Sequence, residues 1–289
     1  MFRGVCGHGM YNLETMNISQ EMPSFDDQFP DLNQFICTLV DDYNAGKINS
    51  WDDLEPRVHA FFTPERMEQM ESSVPGWQKM SSYNERVTLT HVMCVYLGLF
   101  MLPEYADMTP HQQNSMNWAV LFHDVEKVVE KGKRDPKHGF RSAVTAARTL
   151  PTLGFATSPD YNDVIGTWSE FTYAALITPE GMTEPIQDNQ KLPEIISGIQ
   201  QMFGNGSPAA LIIKTVLFHV SINVVKEWPQ AAPLSTEEVA RYIDRELTPL
   251  LRAMALADNE GWNMFYPESR AQQRAETLEA FERIANQIS

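Results

Sequence analysis

Four histidines, His91, His123, His138 and His219, lie in or at the ends of segments that are otherwise apolar and helical in pattern. An imidazole buried without a partner costs on the order of 1–3 kcal/mol. A fold that buries these segments must therefore also bring polar groups to meet them. Any one such histidine is ordinarily a satisfied core residue, but four of them, with acidic residues close by, point to a shared polar centre. The remaining three, His8, His59 and His111, sit in polar or terminal contexts and are not expected to be ligands.

The segments themselves read as helices. Residues 87–102 are almost wholly apolar and stop at Pro103, the pattern of a buried helix. Thr109-Pro110 opens the next one, a capping residue followed by proline at the first helical position. Its stripe of Trp118, Leu121, Phe122, Val125, Val128 and Val129 predicts a helix continuing past residue 127. Residues 31–43 carry Leu32, Phe35, Ile36 and Leu39 at helical spacing, and Ser207-Pro208 opens an apolar helix expected to reach Val225. Ser235 and Glu238 form a capping box, with Pro249 interrupting or restarting the helix that follows. Pro267–Ile288 reads as a final amphipathic helix through Ala271, Ala275, Leu278, Phe281 and Ile284. No run of alternating β-branched residues marks a strand. The expectation is an all-α fold, one compact multi-helix domain over residues 25–289, after an irregular segment over residues 1–24.

Charge and composition narrow the class. The chain has 289 residues and a net charge of −16, and 43% of it is hydrophobic. That composition excludes wholesale disorder, and the acidity disfavours general binding of nucleic acid or an anionic membrane surface. Cys6, Cys37 and Cys94 are odd in number and form no CxxC pair, as expected in a reducing cytoplasm. The opening MFRGVCGHGMYNLE has no apolar signal core, and the most apolar stretch, residues 209–225, contains Lys214 and His219 and is too short to span a bilayer. A cytoplasmic location without membrane attachment is expected; oligomeric state is not fixed by these features.

The sharpest motif is LFHDVEK, residues 121–127, where His123 and Asp124 are adjacent and Lys127 follows at helical spacing. Imidazole nitrogen with carboxylate oxygen suits a divalent metal such as Mn, Fe, Co, Ni or Zn, or Mg where carboxylates and water dominate. An HD dipeptide alone is common, and context supplies the specificity: THVMCVYLG places His91 before it and ALADNEG places Asp258 long after it. This H…HD…D order resembles the HD-domain superfamily of metal-dependent phosphohydrolases, over roughly residues 84–262. WAVLFHDVEK is similar to the family's apolar run into HD with a lysine shortly after, and KHGFRSA, residues 137–143, to its His-plus-small-residue segment. The resemblance implies that His91, His123, Asp124 and Asp258 hold one metal. It further implies that His138 and His219 hold a second in the binuclear branch, with Asp124 bridging. No paired HH and no GYP motif accompanies His219, which argues against a cyclic-dinucleotide substrate.

A basic island lies between the proposed ligands. Lys127, Lys131, Lys133, Arg134, Lys137 and Arg141 outweigh Glu130 and Asp135 to give +4, leaving −20 on the rest of the chain. Lys131, Lys133 and Arg134 read as a solvated loop; Lys127 and Arg141 are the candidates to meet phosphate oxygens, the latter by a bidentate clamp. Glu126 is expected to point away from the pair, and Asn259 and Gly261 to shape the wall behind Asp258. Trp77, Tyr83 and Trp118 are available to stack on a base, although aromatics at these spacings are ordinarily core. The expected activity is metal-assisted hydrolysis of a nucleotide or another small phosphorylated metabolite, with one or two divalent ions per chain. The alternatives are a di-iron oxygenase built on all six ligands, or a non-enzymatic helical sensor or scaffold.

Overall fold

In the computed structural model, residues 22–82, 87–128, 135–226, 230 and 232–288 are described. Most of the 1–24 segment, with His8 and Cys6, lies outside them, as do Tyr83, Lys131, Lys133 and Arg134. Among the described residues the fold is all-α, with fifteen helices and one two-stranded antiparallel ribbon, β1 (Leu176–Ile177) with β2 (Ile186–Gln187). No helix among them is long and apolar enough to cross a membrane.

Of the first helices, α1 (Phe25–Gln28), α2 (Pro30–Asn44), α3 (Trp51–Phe61), α4 (Pro64–Ser73) and α5 (Trp77–Ser82), three pack on α6 (Val87–Met101), namely α2, α3 and α5, while α1 packs on α2 and α4 on α5. After α7 (Pro103–Ala106) come α8 (Pro110–Phe122), α9 (His138–Thr149) and α10 (Tyr161–Tyr173). The ribbon leads into α11 (Leu192–Phe203) and α12 (Pro208–Phe218), then α13 (Thr236–Tyr242), α14 (Leu247–Asn263) and α15 (Pro267–Ile288). The caps read from sequence are present: Thr109 and Gln112 form a capping box on α8, Ser207 caps α12, and Ser235 with Glu238 boxes α13. Pro249 falls in the first turn of α14, a restart after Asp244 has accepted the Glu246 and Leu247 amides. In α15 the buried face runs through Thr277, Ala280, Phe281 and Ile284, leaving Ala271 and Ala275 exposed.

Two helices stop earlier than their apolar patterns suggest. Helix α8 ends at Phe122 rather than beyond 127, and α12 ends at Phe218 rather than at Val225. The cause is the same in both. His123 Nδ1 donates to the Val120 carbonyl and His219 Nδ1 to the Val216 carbonyl, the acceptors that one more helical bond would have needed. Each imidazole takes the place of a backbone N–H, and the chain turns there.

Two helix pairs set the positions of these turns: α6 against α14, and α9 against α12. Both are drawn close by glycine. A Cβ on Gly98 of α6 would lie 2.4 Å from Glu260 Cβ on α14, and one on Gly139 of α9 would lie 3.0 Å from the Leu217 carbonyl of α12. The first pair carries His91 and Asp258, the second His138 and His219. Gly98→Ala tests the closeness. At an open helix position this change adds up to about 1 kcal/mol; here overpacking is expected to remove about 1–3 kcal/mol, seen as a lowered Tm. A raised Tm would contradict the packing.

Candidate metal centre

The six candidate ligands converge from five places: α6 supplies His91, the C-terminal turn of α8 His123 and Asp124, the start of α9 His138, the end of α12 His219, and α14 Asp258. They form two groups of three, His91–His123–Asp258 and Asp124–His138–His219, and within each group the ligand atoms lie within 4.8 Å of one another. Asp124 joins the groups. Its Oδ2 is 3.7 Å from both His91 Nε2 and His123 Nε2, while its Oδ1 is 3.2 Å from His138 Nε2 and 3.9 Å from His219 Nε2.

Three of the imidazoles have their tautomer set by the backbone. His123, His138 and His219 each point Nδ1 at the carbonyl three residues earlier, on Val120, Asp135 and Val216. A carbonyl only accepts, so each Nδ1 carries hydrogen, and in the neutral ring Nε2 is left as a lone pair facing the cluster. This is how metal-ligating histidines are commonly oriented. The consequence is a concentration of acceptors: His138 Nε2 and His219 Nε2 are 2.9 Å apart, with Asp124 Oδ1 beside them. Asp124 Oδ1 and His123 Nε2 have no hydrogen-bond partner among the described residues; His91 instead turns Nε2 to Asp258 Oδ1 and sets Nδ1 against Gly261. Acceptors this close need positive charge among them, as a shared proton or a metal ion. The residues fit a metal.

The electrostatics favour the ligand forms. Burial, reinforced by the neighbouring His138 and His123, pushes the His219 pKa down to about 3, and burial lowers that of His123 against the pull of Asp124. Burial opposes ionisation of Asp124, but Lys127 and the surrounding imidazoles outweigh it and hold the carboxyl well below the usual range. Asp258 is likewise held low, against burial, by its hydrogen bond to His91, 2.9 Å away. Neutral imidazole and ionised carboxylate are the states that bind cations.

Among the described residues, the cluster is most exposed on the side of Asp258. Asp124 is 1% exposed and His91 and His123 are fully buried, whereas the Asp258 side chain is 28% exposed and Trp262, one turn along α14, is 45% exposed. Lys127 stands at this mouth, donating to Asp124 Oδ2 at 2.7 Å. It reaches Asp124 through the turn after α8, not along a helix face. Trp262 stacks on His91 with ring centroids 4.1 Å apart, and Lys127 Nζ is 5.5 Å from its ring centre. The sequence pattern does not single out Trp262; its spacing of four from Asp258 is the available signal. Trp77 and Trp118 are buried in the core.

Other expected residues take different places. Gly261 backs the site: a Cβ there would lie 2.7 Å from His91 Cε1. Asn259 instead donates to Thr277 on α15, because it lies on the α15 side of its helix. Glu126 faces away, paired with Lys79 and accepting from Thr145. Arg141 is held by the Asp135 carboxylate and the Glu126 carbonyl. His59 lies beside Glu55 on α3. The chain matches no protein-family model, no curated protein and no solved structure.

The pKa directions set a pH dependence for the metal-free protein. Between pH 6.5, the ordinary histidine value, and about 3, an unfolded chain binds a proton at His219 that the folded chain refuses. Unfolding therefore becomes easier as pH falls through that window; His123 acts in the same direction. EDTA-treated protein is expected to lose Tm progressively from pH 7 to 4.5. The loss should be smaller in His219→Leu. A Tm that is flat over this range in the unmodified chain would contradict the burial of neutral imidazoles.

Proposed function

We propose that the protein is a member of the HD-domain superfamily and a binuclear metal-dependent hydrolase of phosphate esters, acting on a nucleotide or another small phosphorylated metabolite. One observation carries the reading: Asp124 lies between the two groups, with Oδ2 3.7 Å from His91 and His123 Nε2 and Oδ1 3.2 Å from His138 Nε2, and three of the four imidazoles turn a lone pair inward. His91, His123 and Asp258 would hold one divalent ion and His138 and His219 the other, with Asp124 shared. Bound ions would supply Lewis acidity and bring the pKa of a coordinated water towards neutrality.

The chain's own groups account for the rest. Lys127 presents a cation at the mouth, beside the ionised Asp124 and Asp258, where phosphoryl oxygens would enter. Burial pushes its pKa down, yet the two carboxylates outweigh this and keep it above the ordinary lysine value, so it stays charged. Trp262 offers an aromatic surface to the organic part of an ester. The net charge of −16 repels extended polyanions, which favours a small ligand.

A second reading rests on the same donors. Four imidazoles with two carboxylates also suit a pair of irons, as in a di-iron oxygenase acting on a small organic substrate. The deciding experiment is metal analysis of protein purified without chelator, with a panel of phosphorylated metabolites assayed under added Mn, Co, Ni and Mg. The expected outcome is phosphate release that falls by at least roughly 100-fold in Asp124→Asn and His123→Ala. About two irons per chain with oxygen uptake and no phosphate release would overturn the hydrolase reading in favour of the oxygenase.

A further inference from the structure

Arg141 was a candidate phosphate clamp on sequence grounds, but its contacts lead elsewhere. Its Nη2 donates to the Asp135 carboxylate and, at 2.9 Å, to the Glu126 carbonyl. The same Asp135 carboxylate accepts from the Val128 amide at 2.8 Å and the Lys137 amide at 3.3 Å. Asp135 then presents its own backbone carbonyl to His138 Nδ1. The pair thus ties the chain just after His123-Asp124 to the chain just before His138.

The two metal subsites differ in how their ligands are held. His91 and Asp258 sit within long packed helices, and Gly261 fits closely over the His91 ring. His138 is the first residue of α9, and its N-cap, Lys137, makes no side-chain capping hydrogen bond. The position of His138 therefore depends on Asp135, and that of Asp135 on Arg141.

We infer that Asp135 and Arg141 form a positioning couple that tunes the second subsite, Asp124–His138–His219, and that Arg141 is not a phosphate ligand. The inference rests on the binuclear reading above. Partners that orient a ligating histidine are typically worth about 10- to 100-fold in metal affinity. Asp135→Asn keeps the size and one acceptor oxygen of the carboxylate but removes the charge that Arg141 meets; Arg141→Met keeps the apolar stem and removes the guanidinium.

The test is calorimetric titration of the metal-stripped full chain with Mn²⁺, for the unmodified protein, both single variants and the double variant, with ion content measured independently. The unmodified chain is expected to bind two ions. In each single variant the first affinity should be unchanged and the second about 10- to 100-fold weaker. The double variant should lose no more than either single one, because the two residues act as a unit. Arg141→Lys should recover part of the loss, and melting of the metal-free proteins identifies any variant that fails to fold. At saturating Mn²⁺ the KM for a phosphate ester should be unchanged in Arg141→Lys. Unchanged second-ion affinity together with a raised KM would make Arg141 a phosphate clamp and overturn the inference, while leaving the binuclear reading intact. An unmodified chain that binds fewer than two ions would overturn both.

Discussion

Asp124 carries its charge where water does not reach, between two sets of imidazole nitrogens. A carboxylate in that position is tolerated only with close compensation. Lys127 supplies one positive charge, at 2.7 Å, but Asp258 adds a second carboxylate to the same cluster. Three of the surrounding rings are turned by backbone carbonyls so that lone pairs face inward. The centre is therefore rich in acceptors and short of cations, and its neighbours are organised around that imbalance.

The fold meets this demand with local devices. At the ends of α8 and α12 an imidazole takes the carbonyl that a further helical turn would use, so the candidate ligand itself stops the helix. Glycine then lets the ligand-bearing helices approach: Gly98 and Gly261 at the α6–α14 contact, Gly139 at the α9–α12 contact. Side chains larger than hydrogen at these points would press on the Glu260 side chain, on the Leu217 carbonyl or on His91 itself. Exposure at the cluster is concentrated on the side of Asp258, Lys127 and Trp262 among the described residues.

Much of this was legible in the sequence, for physical reasons. The all-α class followed from caps and apolar periodicity, and α6 and α15 from clean stops at proline and a long amphipathic stripe. The four histidines stood out because polar groups in apolar runs need partners, and Asp124 and Asp258 through the H…HD…D order and the resemblance it carries; the structure gathers all six into two triads. What periodicity could not show was side-chain competition for backbone acceptors, so the stripe through Val129 overran the turn at His123. Trp262 resembled any other helical aromatic until α14 packed against α6 and brought it over His91. Arg141 looked like a phosphate clamp because its partner Asp135, six residues away across a turn, is adjacent only once the chain folds. The net charge of −16 concealed a local pattern in which one carboxylate, Asp124, is buried among the histidines.

The two triads are proposed to be paired cation sites sharing Asp124. Anomalous diffraction from crystals of the full chain grown with Mn²⁺ tests this proposal directly. Two anomalous peaks are expected, one within His91–His123–Asp258 and one within Asp124–His138–His219. Peaks only elsewhere, or none at saturating Mn²⁺, would contradict it.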